Sequence, residues 1–195
     1  MRRKVLAVIG AVISLLLIGC SETNNINSGN ANANVANTNR GASTSPVRST
    51  SLGESDRNFL KEAAEGGMAE VELGRLAAQK GQNAEVKRFG ERMVTDHSKA
   101  NNELKQLASQ KAVTVPTELG NTTKQEIDRL SKLSGAAFDR EYMKLMVEDH
   151  DKDVKGFQEQ ASSAADPDVK SFAAKVLPVI TEHQKMAHEI AGKLK

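Results

Sequence analysis

The stretch VKRFGERMVTDHSKANNELKQL, residues 86–107, decides the fold class of this chain. Its apolar residues recur every three or four positions, which places them on one face of an α-helix. These residues are Val86, Phe89, Met93, Ala100, Leu104 and Leu107. Asn83 stands just before the stretch and is a good N-cap. Beyond residue 56 no window shows the strict apolar alternation of a β-strand, so the sequence predicts an all-α domain.

The same spacing predicts four long helices and one short helix in this domain. The long helices are expected at about residues 56–80, 83–114, 135–164 and 167–195, and the short one at about 123–134. Gly81 is expected to end the first helix, and Thr123 with Glu126 has the form of a capping box. Asp166-Pro167 reads as an N-cap followed by proline at the first helical position. Four amphipathic helices of similar length indicate a four-helix bundle.

The order of the helices stays open at this stage. The connection at about residues 109–134 is long enough to cross the length of the bundle, as in ferritin-like folds, but an up-down-up-down order is the alternative. AEVKRFG at 84–90 returns as PDVKSFA at 167–173, which indicates a duplicated helical hairpin. We expect a ferritin-like four-helix bundle that occupies residues 56–195 as one domain.

The first nineteen residues have the form of a lipoprotein signal peptide. A basic start at residues 1–4 precedes an apolar run of 14 residues, Val5 to Ile18, as in a secretory signal. Leu17-Ile18-Gly19-Cys20 resembles the lipobox of bacterial lipoproteins, in which the cysteine is lipidated and becomes the mature N-terminus. An uncleaved membrane anchor is the alternative, although a span needs about 20 apolar residues. We therefore expect an exported protein that a lipid on Cys20 holds in the cell envelope. Because Ser21 and not an aspartate follows Cys20, the resemblance implies delivery to the outer membrane in a cell that has two membranes.

Residues 20–55 are expected to form a flexible tether. They are rich in Asn, Ala, Ser and Thr and contain no aromatic residue, so they cannot bury enough apolar surface to offset the entropy of ordering. A chain of this length has a root-mean-square reach of roughly 30 Å. Cys20 is the only cysteine, so the domain that follows has no internal disulfide and must be held by packing.

The charge pattern argues against a nucleic-acid binder. The chain has 27 Lys and Arg residues against 25 Asp and Glu residues, and removal of the signal peptide takes away Arg2, Arg3 and Lys4. The mature chain is therefore nearly neutral. Its basic residues alternate with acidic ones and form no stripe. The one expected partner is the membrane, through the lipid on Cys20, and no protein partner is indicated.

Three of the four histidines stand in one repeated setting. MVTDHSK at 93–99 returns as MVEDHDK at 146–152, with a looser copy, VITEHQK, at 179–185. In each copy an acidic residue precedes the histidine and a lysine lies two positions after it. On a helix this spacing turns the histidine towards the buried seam, leaves the acid at its border and points the lysine into water. The fourth histidine, His188, falls off the seam and is predicted to be a surface residue.

The three seam histidines are predicted to lie at one depth of the bundle. His150 lies sixteen residues before Asp166 and His183 seventeen after it, a mismatch of about 1.5 Å along the axis, and His97 is also mid-helix. Glu70 is the seam acid of the first helix, expected roughly one turn from this layer. Imidazoles and carboxylates at one depth predict a transition-metal site for Fe, Zn, Cu or Mn. The candidate ligating or orienting residues are His97, His150, His183, Glu70, Asp96, Asp149 and Glu182.

Two functions remain open on these residues. The first is a lipid-anchored envelope protein that binds, stores or buffers a transition metal in the bundle interior. The second is a non-catalytic envelope interaction or stress-protection module, in which each histidine is structural and hydrogen-bonded to a carboxylate. No catalytic residue is predicted, because the sequence has no phosphate-binding glycine loop and no nucleophile elbow.

Several of these motifs together resemble the bacterial domain-of-unknown-function family 4142. They are the lipobox, the polar tether, VKRFGERMVTDH, LSGAAFDREYMKLMVEDH and VLPVITEH, and the similarity spans about residues 56–194. The resemblance implies a secreted or lipid-anchored protein with a ferritin-like helical bundle and no established reaction. Ferritin-like di-iron chemistry uses Glu-x-x-His on two helices, whereas Val94, Val147 and Ile180 stand three positions before the histidines here. Oxidase activity is therefore not expected.

Overall fold

The chain folds into five α-helices over residues 52–194, the part that the computed structural model describes. They are α1 Glu54–Lys80, α2 Ala84–Gln110, α3 Asn121–Ser131, α4 Gly135–Ser163 and α5 Pro167–Lys193. No β-strand occurs within these residues, so the all-α prediction is confirmed there. The predicted signal peptide, Cys20 and the predicted tether up to residue 51 lie outside the described residues.

Two of the predicted N-caps form as the sequence indicates. The side chain of Asn83 accepts a hydrogen bond from the amide of Glu85 at 2.7 Å, which satisfies a donor in the first turn of α2. Asp166 accepts from the amide of Asp168 at 2.9 Å at the start of α5, and Pro167 takes the first helical position. These local interactions set where α2 and α5 begin.

Two other end signals were interpreted wrongly. The capping box at Thr123 does not form, because α3 begins two residues earlier, at Asn121, and no side chain caps it. Gly81 does end α1, but its φ of −53° is not the left-handed conformation of a C-terminal glycine. A side chain is excluded there for another reason, since a Cβ at Gly81 would lie 2.7 Å from the carbonyl oxygen of Ala77.

The four helices of 27–29 residues pack side by side. At 1.5 Å per residue each is about 40 Å long. α1 packs along α2, and α4 packs along α5, so that the chain forms two helical hairpins. The hairpins join through contacts of α2 with α5 and of α1 with α4, while the short α3 lies against α1 and α4. None of the five described helices is both long and apolar enough to cross a membrane.

The ends of the helices show that the chain crosses the bundle between α2 and α4. Asp139, at the start of α4, accepts hydrogen bonds from the amides of Gln82 at 2.9 Å and Asn83 at 2.7 Å. Because these amides precede α2, the helices α2 and α4 start at the same end of the bundle. The segment that joins them, which contains α3, must therefore run the length of the bundle. Of the two orders that the sequence left open, the structure has the crossover.

The two hairpins are tied together in the same way at both ends. Asp56, in the first turn of α1, accepts a hydrogen bond from the amide of Asp166 at 2.8 Å, just as Asp139 accepts from the amide of Asn83. Asp56 and Asp139 are 83 residues apart, and so are Asn83 and Asp166. The sequence repeat that links the starts of α2 and α5 has the same spacing. An aspartate from each hairpin thus fixes the turn of the other.

A polar layer divides the apolar core into two clusters. The cluster near the α4–α5 turn includes Phe59, Leu60, Leu104, Val154, Val169 and Phe172. The cluster near the α1–α2 turn includes Leu73, Val86, Phe89, Phe138, Tyr142 and Met146. The buried polar residues Glu70, His97, His150 and His183 lie between these clusters along α1, α2, α4 and α5. Packing on both sides holds this layer in place.

Candidate metal centre

The three seam histidines meet in the middle of the bundle. His97 comes from α2, His150 from α4 and His183 from α5, and all three are buried. One ring nitrogen of each lies within 4.8 Å of those of the other two. The ring centroids are 5.2 to 5.8 Å apart. The side chains therefore present nitrogen atoms to one small volume.

Each imidazole is held at one of its two nitrogens. Nδ1 of His97 lies 2.8 Å from Oε2 of Glu70. Nδ1 of His150 lies 2.9 Å from the backbone carbonyl oxygen four residues earlier, to which it can only donate. Nε2 of His183 lies 2.9 Å from Oδ2 of Asp96. Because carboxylates and carbonyls accept hydrogen bonds, each of these nitrogens carries the hydrogen in the neutral ring.

The other nitrogen of each ring faces the shared volume without a partner. Nε2 of His97, Nε2 of His150 and Nδ1 of His183 are buried and have no hydrogen-bond partner among the described residues. An unsatisfied buried polar atom costs about 1–3 kcal/mol, so three of them together need an explanation. An imidazole that donates from one nitrogen to a carboxylate or carbonyl and offers the other as a lone pair is the usual arrangement of a metal-ligating histidine.

Glu70 completes the layer from α1. Its side chain is buried, and its second oxygen, Oε1, lies 3.3 Å from Nε2 of His150. Both atoms lack a hydrogen-bond donor among the residues that the structure describes. A lone pair therefore faces a lone pair, an arrangement that a shared cation would make favourable. The expectation that Glu70 sits one turn away from the histidines was wrong, since it contacts two of them directly.

Glu70 and His97 form a charged pair. Burial by itself would raise the pKa of Glu70. The charge of His97 and its hydrogen bond outweigh burial and lower the pKa to about 2. Burial lowers the pKa of His97, but the charge and hydrogen bond of Glu70 outweigh this effect and raise it. Each group thus favours the ionised form of the other, and a metal ion at Nε2 of His97 would take the place of a proton there.

His150 and His183 behave in the opposite way. Burial lowers the pKa of His150, and the charge of Glu70 offsets only part of this effect. Burial also lowers the pKa of His183, to about 4, despite the hydrogen bond with Asp96. Both rings are therefore neutral near pH 7, which is the state that binds a metal ion.

The acids that precede the histidines are not equivalent. Asp96 contacts His183 and also accepts from Nε of Arg92 at 2.7 Å. Burial by itself would raise the pKa of Asp96, but these hydrogen bonds outweigh burial and lower it. Asp96 therefore stays ionised and orients the ring of His183. Glu182 lies outside the cluster, exposed and 3.1 Å from Arg92. Asp149 lies at the outer edge, where burial and then the charge of Glu70 raise its pKa to about 6.

Asp153 was missed at the sequence level. It lies against Glu70, and burial followed by the charge of Glu70 raises its pKa to about 8. Asp153 follows Glu70 by 83 residues, the spacing that relates the two hairpins, so the repeat could have revealed it. The lysine of each repeated motif is exposed, and His188 lies on the surface against Asp151, both as predicted.

The profile of the family described as "Domain of unknown function (DUF4142)" matches residues 41–190. The chain belongs to this family. The match confirms the resemblance that the histidine motifs carry, and it begins before the helical domain of the DUF4142 chain. No curated protein matches the chain significantly.

Solved structures share the fold of this DUF4142 chain. The DUF305 fragment from Deinococcus radiodurans has a TM-score of 0.63 at 11% identity and covers 73% of this chain and 98% of its own. CopM in the Cu(II)-bound form has a TM-score of 0.61 at 17% identity and covers 72% of this chain and 97% of its own. The Cu(I)-bound form of CopM has a TM-score of 0.58 at 18% identity, with 69% and 93% covered. At these identities the likeness shows a common helical fold.

Proposed function

We propose that this DUF4142 protein is a lipid-anchored protein of the cell envelope whose bundle binds a transition metal ion. His97, His150 and His183 would supply the ligating nitrogens, with Glu70 as a carboxylate ligand beside them. Asp96 would hold the ring of His183 in its binding orientation. The proposal assigns metal binding and no reaction, because the Glu-x-x-His pairs of di-iron enzymes are missing.

One observation carries this proposal. Three imidazoles from three helices each use one nitrogen to donate a hydrogen bond and leave the other buried, unpartnered and close to the other two. A bound ion would satisfy all three lone pairs at once, and the carboxylate oxygen of Glu70 with them. Imidazole nitrogens and carboxylate oxygens are both established ligands of transition metals in proteins.

The alternative, that the histidines are only structural, accounts for half of this geometry. It explains why three ring nitrogens are hydrogen-bonded to Glu70, to a backbone carbonyl and to Asp96. It leaves the other three ring nitrogens unexplained, because they are buried and face one another. The metal-binding proposal explains both sets and is therefore preferred to an interaction or stress-protection module.

Copper is the first ion to test among Fe, Zn, Cu and Mn. Imidazole suits Cu, Zn and Fe better than Mn, which prefers oxygen ligands. CopM, which shares this helical fold, has structures in Cu(II)-bound and Cu(I)-bound forms. The nitrogen-rich ligand set favours Cu, Zn and Fe over Mn, and the likeness in fold to CopM supports testing Cu first among them.

The envelope location rests on the N-terminal sequence. The basic start, the apolar run and Leu17-Ile18-Gly19-Cys20 support export and lipidation of Cys20, and Ser21 supports the outer membrane as destination. The residues between Cys20 and the start of the described domain at residue 52 would tether that domain to the lipid. The crossover between α2 and α4 supports describing that domain as a ferritin-like four-helix bundle.

Thermal unfolding of the mature chain tests metal binding. Residues 20–195 carrying Cys20→Ser would be stripped of metal and titrated with Cu(II), Zn(II), Fe(II) or Mn(II). An ion that binds only the folded state stabilises it by about 2.7 kcal/mol at a free concentration of 100 times Kd. The variant with His97→Ala, His150→Ala and His183→Ala should lose this response.

His188→Ala is the matched control, because His188 is exposed and does not belong to the buried cluster. It should keep the full wild-type response. A wild-type chain that binds none of these ions at micromolar concentration near pH 7 would overturn the proposal.

A further inference from the structure

A cavity of about 230 Å³ adjoins the histidine layer. Its inner end is lined by Glu70 and His97, and its outer end by Glu62 and Lys152, which are exposed to solvent. The cavity thus connects the candidate metal centre with the surface. At about 30 Å³ per water molecule it has room for several of them, and so for a cation with part of its hydration shell.

Three glycines line this cavity, and two of them, on the neighbouring helices α1 and α4, have open space where a side chain would be. Gly66 lies in α1 and Gly156 in α4, and a Cβ built at either would meet no atom within 4 Å. Gly67, next to Gly66, differs in that its Cβ would collide with the side chain of Asn101 at 2.1 Å. The packing at Gly66 and Gly156 therefore does not require glycine. Because neither residue has a side chain, open space remains between α1 and α4.

Carboxylates line the way from the surface to the candidate site. Asp153 stands beside Glu70 in the cavity wall, and Glu62 stands at the mouth. A second cavity of about 220 Å³ shares Gly66, Glu70, Lys152 and Asp153 with the first and adds Glu126 and Asp149. The two cavities together are lined by five carboxylates and one lysine. Acidic side chains outnumber the single lysine along these cavities, so the net charge there favours cations over anions.

We infer that metal cations reach and leave the histidine layer through this opening between α1 and α4. The inference rests on the proposed metal binding and adds a path to it. Two buried, unpartnered atoms at the inner end, Oε1 of Glu70 and Nε2 of His97, give the path a destination. Lys152 opposes the passage of a cation at its outer end.

Gly156→Leu tests the path by filling it. The side chain would occupy the space between the helices, so both the association rate of Cu(II) and its release into excess chelator should fall by about tenfold, with Kd almost unchanged. Both rates can be measured on the mature chain in a stopped-flow instrument with a metallochromic indicator. Gly192→Leu is the control, because its Cβ also meets no atom within 4 Å but Gly192 does not line the cavity.

Lys152→Glu tests the path by its charge and does not threaten folding, because the side chain is 75% exposed. Removing the opposing charge should raise the association rate of Cu(II) about threefold at low ionic strength, with the gain lost at physiological salt. Lys185→Glu makes the same charge change at the equivalent position of the repeated motif, on α5, where the side chain is 77% exposed and lines neither cavity. It should leave the rate at its wild-type value.

The outcomes separate this inference from the proposal beneath it. If the wild-type chain binds Cu(II) but Gly156→Leu and Lys152→Glu behave like their controls, the path is wrong and metal binding stands. Equal acceleration by Lys152→Glu and Lys185→Glu would also overturn the path, because net charge and not position would then decide the rate. If the wild-type chain binds no metal, the proposed function fails first.

Discussion

Oε2 of Glu70 lies 2.8 Å from Nδ1 of His97, inside the bundle and between two different helices. The other oxygen of the same carboxylate lies 3.3 Å from Nε2 of His150. One side chain of α1 thus contacts imidazoles from both α2 and α4. A carboxylate in this position holds one histidine by a hydrogen bond and leaves an oxygen facing the space that all three rings share.

Replacing Glu70 by glutamine should change the protonation of His97. The carboxylate is what raises the pKa of His97 against the opposing effect of burial. Glu70→Gln keeps the size of the side chain and removes the charge, so the pKa of His97 should fall below its wild-type value. Imidazole NMR signals of the metal-free chain, followed against pH, measure it. Glu182→Gln should leave the titration of His97 unchanged, and an unchanged titration in Glu70→Gln would contradict the ion pair.

Asp96→Asn should weaken metal binding, whereas Glu182→Gln should not. Both acids contact Arg92, but only Asp96 contacts a ring of the histidine layer, that of His183. A carboxylate that orients a ligand typically contributes about 10- to 100-fold in metal affinity. Competition with a chelator of known affinity gives Kd for each variant. Equal losses in the two variants would show that the surface charge, and not the contact with His183, is responsible.

The helices and the common depth of the histidines could be predicted because both follow from local geometry. Apolar spacing defines a helical face, and the rise per residue converts residue counts from Asp166 into depth for His150 and His183. The same method failed for Glu70. A glutamate side chain is long enough to reach a neighbouring layer, so the depth of its backbone on α1 does not decide which rings its carboxylate contacts.

The roles of the acids could not be predicted from their angle on the helix. Asp96, Asp149 and Glu182 occupy the same position in their motifs, yet one contacts a histidine, one borders a cavity and one pairs with Arg92 at the surface. What separates them is the neighbouring helix, which the local sequence does not contain. The crossover depends in the same way on a contact between distant residues, Asp139 and Asn83.

Gly90→Ala should destabilise the domain. The helices α1 and α2 approach closely at Gly74 and Gly90, and a Cβ at Gly90 would lie 2.6 Å from the carbonyl oxygen of Gly74 and 2.8 Å from Cβ of Ala77. Backbone atoms cannot move aside cheaply, so the free energy of unfolding should fall by roughly 1–3 kcal/mol. Gly66→Ala meets no atom and should gain roughly 0.5–1 kcal/mol from helix propensity. Urea denaturation measures the free energy of unfolding of both variants. A Gly90→Ala variant more stable than the wild type would contradict the close approach of α1 and α2 at Gly74 and Gly90.

Cys20→Ser should release the protein from membranes. The predicted lipid on Cys20 is the anchor, and the polar segment that follows offers no other apolar attachment. Fractionation of cells that express the full-length chain should find the wild type in the membrane pellet and the variant in the soluble envelope fraction. Ser21→Ala leaves the cysteine in place and should stay with the pellet. A Cys20→Ser variant found wholly in membranes would contradict the lipobox.

The domain should lose stability in acid, because the stabilising contribution of ionised Asp166 is lost there. Asp166 lies at the junction of α4 and α5, where it accepts hydrogen bonds from Nζ of Lys111 at 2.7 Å and from the amides of Asp168 and Val169. Burial by itself would raise the pKa of Asp166, but these hydrogen bonds outweigh burial and hold the pKa below its ordinary value. A group whose folded pKa is depressed stabilises the fold above its unfolded pKa and loses that contribution as the pH falls through the folded value.

Comparison of the wild type with Asp166→Asn between pH 3 and pH 7 therefore isolates this group. Asparagine is also a good N-cap, so the variant should keep the start of α5 and lose only the charge. The wild type should be more stable by roughly 1–2 kcal/mol near pH 7, and the difference should shrink as the pH falls below about 4. In a Lys111→Met background the difference near pH 7 should already be smaller, because Lys111 donates one of the hydrogen bonds that lower the pKa of Asp166. Urea denaturation at each pH measures these differences in the free energy of unfolding. A difference that stayed constant from pH 7 to pH 3 would show that these contacts do not depend on the ionised form of Asp166.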